Sequence, residues 1–162
     1  MTTNLFIQAR ENSKRLPKKV LKKMCNKSII QILFERMKKI NNIQKIVLVT
    51  GPSSKNSNLI HESRKINLSY FCGNENNLID RFYNASLKFP SDNIIRVTAD
   101  NPFTDFEIIN RALKIIEKND YDILSNNRIK TFPLGLNFEI FSSEALKTTW
   151  YDTNKKFSNN EG

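Results

Sequence analysis

Three observations predict an α/β domain with a doubly wound, mostly parallel sheet flanked by helices. An apolar run at Leu5–Ile7, a continuous β-branched run at Lys45–Thr50 and the apolar-rich stretch Asn93–Thr98 read as buried strands. Between them lie stretches with apolar residues at helical spacing. The connections are short, which suits strand–helix alternation on one sheet.

The first strand runs abruptly into a cationic loop holding Arg10, Lys14, Arg15, Lys18 and Lys19. Backbone donors and fixed positive charge at the carboxyl end of a strand are how open α/β sheets hold phosphate. The loop has neither Gly-x-x-x-x-Gly-Lys nor Gly-x-Gly-x-x-Gly, so both common phosphate fingerprints are excluded. From charge alone, a merely solvated basic loop explains it equally well.

Ser28-Ile-Ile-Gln31 has the spacing of a capping box, and Ile29, Leu33, Met37 and Ile40 extend a helix over 28–40. Lys45–Thr50 is ended by Gly51-Pro52, and 59–65 reads as a short helix carrying the lone His61 on its surface. Ser69–Cys72 is a strand, and Leu78 to Leu87 an amphipathic helix. After Asn93–Thr98 comes Ala99-Asp100-Asn101-Pro102, then a second capping box at Thr104-Asp-Phe-Glu107. Strands at Tyr121–Ser125 and Leu136–Phe141 follow, then a helix capped by Ser142 or Ser143 that ends at Trp150. The polar stretch 152–162 reads as loop.

Asp100 closes a central strand on the sheet edge that also carries Arg10. A hard carboxylate beside a phosphate site suits Mg²⁺. The competing reading is that Asp100 caps the turn before Pro102. At 162 residues the chain makes one domain with room for a core. Its net charge of +10 raises a nucleic-acid reading through the Lys14–Lys23 cluster, but the basic residues are spread along the chain. No recognition helix or base-stacking motif accompanies them. No apolar run approaches the ~20 residues of a membrane span, and no signal peptide is visible. Cys25 and Cys72 fit reduced thiols, so a cytoplasmic protein free of nucleic acid and membrane is expected.

Gln8-Ala-Arg-Glu-Asn-Ser-Lys-Arg-Leu-Pro-Lys-Lys-Val-Leu21 resembles the signature of the cytidylyltransferases that make CMP-activated acidic sugars. Those are the acylneuraminate and 3-deoxy-octulosonate synthetases and, above all, the spore-coat-polysaccharide branch. The resemblance continues through Gly73-Asn-Glu-Asn-Asn-Leu-Ile-Asp-Arg-Phe82, Arg96-Val-Thr-Ala-Asp-Asn-Pro102, Ser125-Asn126 and Thr131 to Glu139. It implies a nucleotide-diphospho-sugar transferase-like fold and transfer of CMP from CTP to an anomeric hydroxyl, with release of pyrophosphate. Carried over residue by residue, Arg10, Lys19 and Asp100 would be catalytic, and Asp100 would hold Mg²⁺. Ala9, Arg10, Asn12, Ser13, Lys14, Arg15 and Lys19 would surround the triphosphate; the segment from Asn74 to Arg81, with Asn74, Asp80 and Arg81 foremost, would border the cytidine. Asn101, Thr131, Gly135, Asn137 and Glu139 would face the sugar. The resemblance also implies a homodimer.

The chain departs from the pattern at several places. Asn12 and Lys18 stand where glycine is frequent, Cys72 replaces an arginine before Gly73, and Leu134 and Asn137 replace aspartates of the spore-coat branch. The family's second metal carboxylate would lie past Gly162, so the chain reads as C-terminally incomplete. A nucleotide-binding relative without turnover is the alternative expectation.

Overall fold

Leu5, Phe6 and Ile7 are all fully buried, which places the first strand, β1 (Thr3–Gln8), in the middle of the sheet. The computed structural model describes residues 1–13, 16–129 and 131–158. After β1 come a 3-10 turn at Lys19–Leu21 and a small hairpin of β2 (Lys23–Met24) and β3 (Lys27–Ser28). Cys25 and Asn26 form its tip, both at positive φ. The chain continues through α1 (Ile29–Met37), β4 (Lys45–Thr50), α2 (Ser57–Lys65), β5 (Ser69–Cys72), α3 (Leu78–Lys88) and β6 (Asn93–Thr98). Next come α4 (Phe106–Ile116), β7 (Ile123–Ser125), β8 (Glu139–Ser142) and α5 (Ser143–Ser158).

The main sheet has six strands in the order β5-β4-β1-β6-β8-β7. Pairings β5-β4, β4-β1 and β1-β6 are parallel; β8 runs antiparallel to both β6 and β7. Alternation along β1 divides the core. Leu5 and Ile7 face a large cluster with Leu33 of α1, Leu59 of α2 and Ile109 of α4. Phe6 faces a smaller one with Phe82 of α3 and Leu146 of α5. Helices therefore cover both faces, and the strand order reverses at β1, so a crevice opens at the carboxyl ends of β1 and β6.

Several boundaries differ from expectation, each for a local reason. Ser28 caps α1 by accepting from Gln31 N, but the Gln31 amide turns to Glu35, so the box closes on one side only. Helix α4 is capped by Asp105, not Thr104: Asp105 Oδ1 accepts from the backbone N–H of Glu107 and Ile108. The Thr104 hydroxyl is already committed to Asn101 O. Strand β8 begins at Glu139 because Leu136 O and Phe138 N are taken by the Asn126 side chain. Helix α5 does not stop at Trp150 but runs on to Ser158; Tyr83 of α3 stacks on Trp150 at 4.4 Å and Trp150 Nε1 donates to Asp80 Oδ1 at 3.0 Å. Residues 159–162 lie outside the described ones.

Candidate active site

The turn after β1 is shaped from within by Glu11, which is 4% exposed. Its carbonyl accepts from Ser13 N and Lys18 N, both at 2.9 Å. Its carboxylate accepts from Leu59 N at 2.8 Å and Asn58 Nδ2 at 2.9 Å, so it caps α2, whose own N-cap residue supplies no side-chain bond. Asn56 Oδ1 in turn accepts from Glu11 N. One acid thus fixes the cationic turn to a helix on the flank of the sheet. Lys18, at φ 54°, occupies the left-handed region, which explains why a glycine suits this position.

Pairing continues beyond the strands: Ala9 N donates to Val49 O at 3.3 Å and Ala99 N to Gln8 O at 2.9 Å. This brings Arg10 and Asp100 to the same edge. There a cavity of about 480 Å³ opens, lined from β1 and its turn by Gln8, Ala9, Arg10, Ser13, Lys19 and Val20. Thr98 and Asp100 line it from β6; Glu75, Asn76, Leu78 and Arg81 line it from the β5–α3 connection and α3. Lys19 Nζ lies 2.5 Å from Asp100 Oδ2. Burial pushes the Asp100 carboxyl up, but hydrogen bonds from Lys19 and Thr98 and the Lys19 charge outweigh it and hold it below the usual carboxylate value. Arg10 is exposed and has no ion-pair partner among the described residues. Burial lowers the Arg81 guanidinium from its ordinary value; the Glu75 charge works against that and nearby Arg10 adds to it.

The turn before Pro102 is held by Asn101 N on Thr98 O, Asn101 Nδ2 on Thr98 Oγ1, and Thr104 on Asn101 O. The Asp100 carboxylate joins it through Thr98 while also lining the cavity beside Lys19.

A second, smaller cavity of about 120 Å³ adjoins the first, with Arg96, Thr98, Asn101, Asn127, Asn137, Phe138 and Glu139 in its wall. Thr98 belongs to both. The partition is also crossed by an ordered chain: Arg96 Nε donates to Gln8 Oε1 at 2.8 Å, and Arg96 Nη1 to Glu139 Oε2 at 2.6 Å.

Of the residues singled out from sequence, Ala9, Arg10, Ser13, Lys19, Arg81 and Asp100 meet in the large cavity, and Asn101, Asn137 and Glu139 in the small one. Gly135, at φ 94°, lies near Asn101: a Cβ there would be 3.9 Å from Asn101 Oδ1. Others are placed elsewhere. Asp80 turns toward α5, where Trp150 Nε1 donates to its carboxylate, which also accepts from Asn84 Nδ2 one turn along α3. Asn74 builds the turn before α3, accepting from Asn76 N and Asn77 N. Asn12 is exposed beside the large cavity's turn, and Thr131 sits exposed on a turn, bonded to Ile129 O. Lys14 and Arg15 lie outside the described residues. Sequence reasoning missed Gln8, Glu11, Arg96 and Thr98 as parts of the site, whereas Glu75 lies within the 74–81 segment expected to border the cytidine. A lone acid inside a cationic turn was the one signal for Glu11.

No group of three or more His, Cys, Asp or Glu able to hold a metal occurs among the described residues. Nor is any helix among them long and apolar enough to cross a membrane.

The family model described as cytidylyltransferase matches residues 5–161. An uncharacterized protein of Methanocaldococcus jannaschii is 36% identical over 152 residues, covering 94% of this chain and 61% of that protein. Spore coat polysaccharide biosynthesis protein SpsF of Bacillus subtilis is 32% identical over 147 residues, covering 87% and 59%. The chain thus spans about three fifths of the length of these curated relatives. A cytidylyltransferase structure from Leptospira borgpetersenii superposes with TM-score 0.87 at 29% identity, over 91% of this chain and 63% of that one. A CMP:2-keto-3-deoxy-manno-octonic acid synthetase complexed with CTP superposes with TM-score 0.77 at 14% identity, over 93% and 78%, a likeness of fold.

Proposed function

Because this chain belongs to the cytidylyltransferase family, we propose that it transfers CMP from CTP to the anomeric hydroxyl of an acidic sugar. The observation that carries the reading is one juxtaposition: Lys19 against Asp100, with Arg10, which has no ion-pair partner among the described residues, in the same cavity wall. In the reaction the sugar oxygen bonds to the α-phosphorus, the bond from that phosphorus to the bridging oxygen breaks, and pyrophosphate leaves. Such chemistry asks chiefly for positioning and for charge neutralisation. Arg10, Lys19, Ser13 and the backbone at Ala9 hold the triphosphate. Asn101, Asn137 and Glu139 hold the sugar in the smaller cavity, across the shared Thr98.

Asp100 is the residue that would hold Mg²⁺. A single carboxylate over a cavity meant for phosphate suits an ion that keeps most of its ligands as water and substrate oxygen. Bound there, the ion would neutralise charge developing on the triphosphate. Asp100 Oδ2 is the atom that Lys19 occupies, so nucleotide binding requires this ammonium to share or exchange the carboxylate for phosphate.

The name of the Bacillus subtilis relative supports a place in polysaccharide biosynthesis. A homodimer in the cytoplasm completes the proposal, and light scattering of the purified protein tests the first part. The enzymatic claim is tested by pyrophosphate release with CTP, Mg²⁺ and a panel of sugar acids. Lys19→Ala and Asp100→Asn should each lower kcat by at least about 100-fold, the size expected for removing one preorganised charge. Near-normal turnover in either variant would overturn the role of the residue replaced.

A further inference from the structure

The pole opposite the cavities, where the parallel strands begin and the helices end, carries a belt of ammonium groups that the fold does not spend. Lys38 and Lys39 follow α1, Lys45 opens β4 and Lys88 closes α3; all four are exposed. Each lies over the face of a phenylalanine. Lys38 Nζ is 5.1 Å from the centre of the Phe34 ring and Lys39 Nζ 5.4 Å from that of Phe106, while Lys45 and Lys88 stand 5.2 and 5.7 Å from Phe89. The positions are contiguous. Lys45 and Lys88 share one ring, Lys38 and Lys45 line one groove, and the end of α1 is tied to α4 where Asn41 N donates to Asn110 Oδ1. None of the four forms a salt bridge among the described residues. The acids at hand are committed: Glu35 is paired with Lys27 at 2.6 Å and feels Lys38 only as a more distant charge, and Asp92 is held by Thr2. A ring face steadies a lysine while leaving its three N–H donors unspent.

We infer that this belt is a docking surface for an anionic lipid leaflet. Lipid phosphates supply the acceptors that the ammonium groups lack, and each lysine held near such a surface adds attraction that salt screens. Nucleic acid carries the same charge, but it also draws on aromatic faces against which bases stack. Here Phe34 is only 8% exposed, and the rings are covered by the lysines themselves. Leu87, 62% exposed beside Lys88, adds an apolar contact that a bilayer interface rewards and a bare polyanion does not. Docked this way, the molecule turns the cavities at the carboxyl ends of β1 and β6 away from the bilayer. Attachment to a surface needs no spanning segment, so the lack of a long apolar run in the sequence does not bear on it. The docking surface stands whether or not the proposed reaction does.

The test is flotation of the purified protein with vesicles of phosphatidylcholine containing about one third phosphatidylglycerol, against phosphatidylcholine alone. Wild type should float with the anionic vesicles at about 0.05 M salt, come off them by about 0.5 M, and stay behind with the neutral ones. The triple variant Lys38→Gln, Lys45→Gln, Lys88→Gln should partition at least about tenfold less. The charge-matched triple Lys22→Gln, Lys23→Gln, Lys55→Gln, at positions that follow β1 and β4, should change partition by less than about twofold. A wild-type protein that stays behind with the anionic vesicles overturns the inference, and that arm needs no variant to fold. Equal losses in the two triple variants overturn it as well, since net charge alone would then explain the binding. So does tighter binding of wild type to single-stranded RNA at the same phosphate concentration, which would make nucleic acid the partner.

Discussion

Cys72 and Cys25 are the two thiols of the chain, and their surroundings separate their chemistry. Burial raises the Cys72 thiol above its usual value, with Lys88 and Arg64 opposing it more weakly, whereas Cys25 is exposed at a hairpin tip. The thiolate is the reactive form. Iodoacetamide at pH 8 should therefore label Cys25 well before Cys72, as read by mass spectrometry of timed digests; equal rates would contradict the placement of Cys72. At this scale the sequence is a good guide to charge and a poor one to orientation. Asp80 and Arg81 are adjacent on α3, yet one faces Trp150 and the other the cavity, because a helix turns by about a hundred degrees per residue. Which of the two neighbours would enter the site depended on where α5 lay. The expected helix ending at Trp150 gave no sign of which element it would pack against.

Among the elements, the turn after β1 depends most on a contact from far along the chain. Glu11 reaches Asn58 and Leu59 to cap α2 while its carbonyl shapes the turn. Glu11→Ala leaves the Leu59 N–H without its acceptor and should cost about 2 kcal/mol. For a domain of this size that is roughly 4–8 °C in Tm. CTP affinity should fall as well, since the turn bearing Arg10 and Ser13 loses its anchor; a variant with unchanged Tm and unchanged affinity would show the contact to be incidental. The strands themselves were legible because buried parallel strands are continuous apolar runs, as at Leu5–Ile7 and Lys45–Thr50. The ends of β8 and the cap of α4 were not legible. They turn on which of two nearby polar groups wins a backbone donor, Asn126 in one case and Asp105 in the other.

For the whole molecule, the amino-terminal end of the central strand is clamped by Asp92. Thr2 N and Thr2 Oγ1 both donate to its Oδ2, and Asp92 N donates to Thr2 Oγ1. The backbone bond from Thr2, then its hydroxyl, holds the Asp92 carboxyl below its ordinary value despite some burial, with the chain's amino group adding to this. A depressed carboxyl stabilises the fold fully above its unfolded pKa of about 3.9 and loses that effect as pH falls through the folded value. Wild type should therefore melt above Asp92→Asn at neutral pH, with the two melting curves converging as pH falls through the lowered folded value of Asp92. A gap that stays constant across that range would count against the clamp. The doubly wound arrangement around β1 was readable from strand and helix alternation. The antiparallel entry of β8 between β6 and β7 was not, since a four-residue strand has no pattern that fixes its direction.

The wall between the two cavities is a single run of side chains, Gln8 to Arg96 to Glu139, bonded end to end. If the proposed function holds, a sugar that drew the Glu139 carboxylate toward itself would loosen Arg96 and, through it, Gln8 on the side proposed for the nucleotide. On the proposed function, the two guests would then influence one another through this run as well as where they react. Thermodynamics requires that influence to be mutual, so whatever factor the sugar imposes on the nucleotide's affinity, the nucleotide imposes on the sugar's.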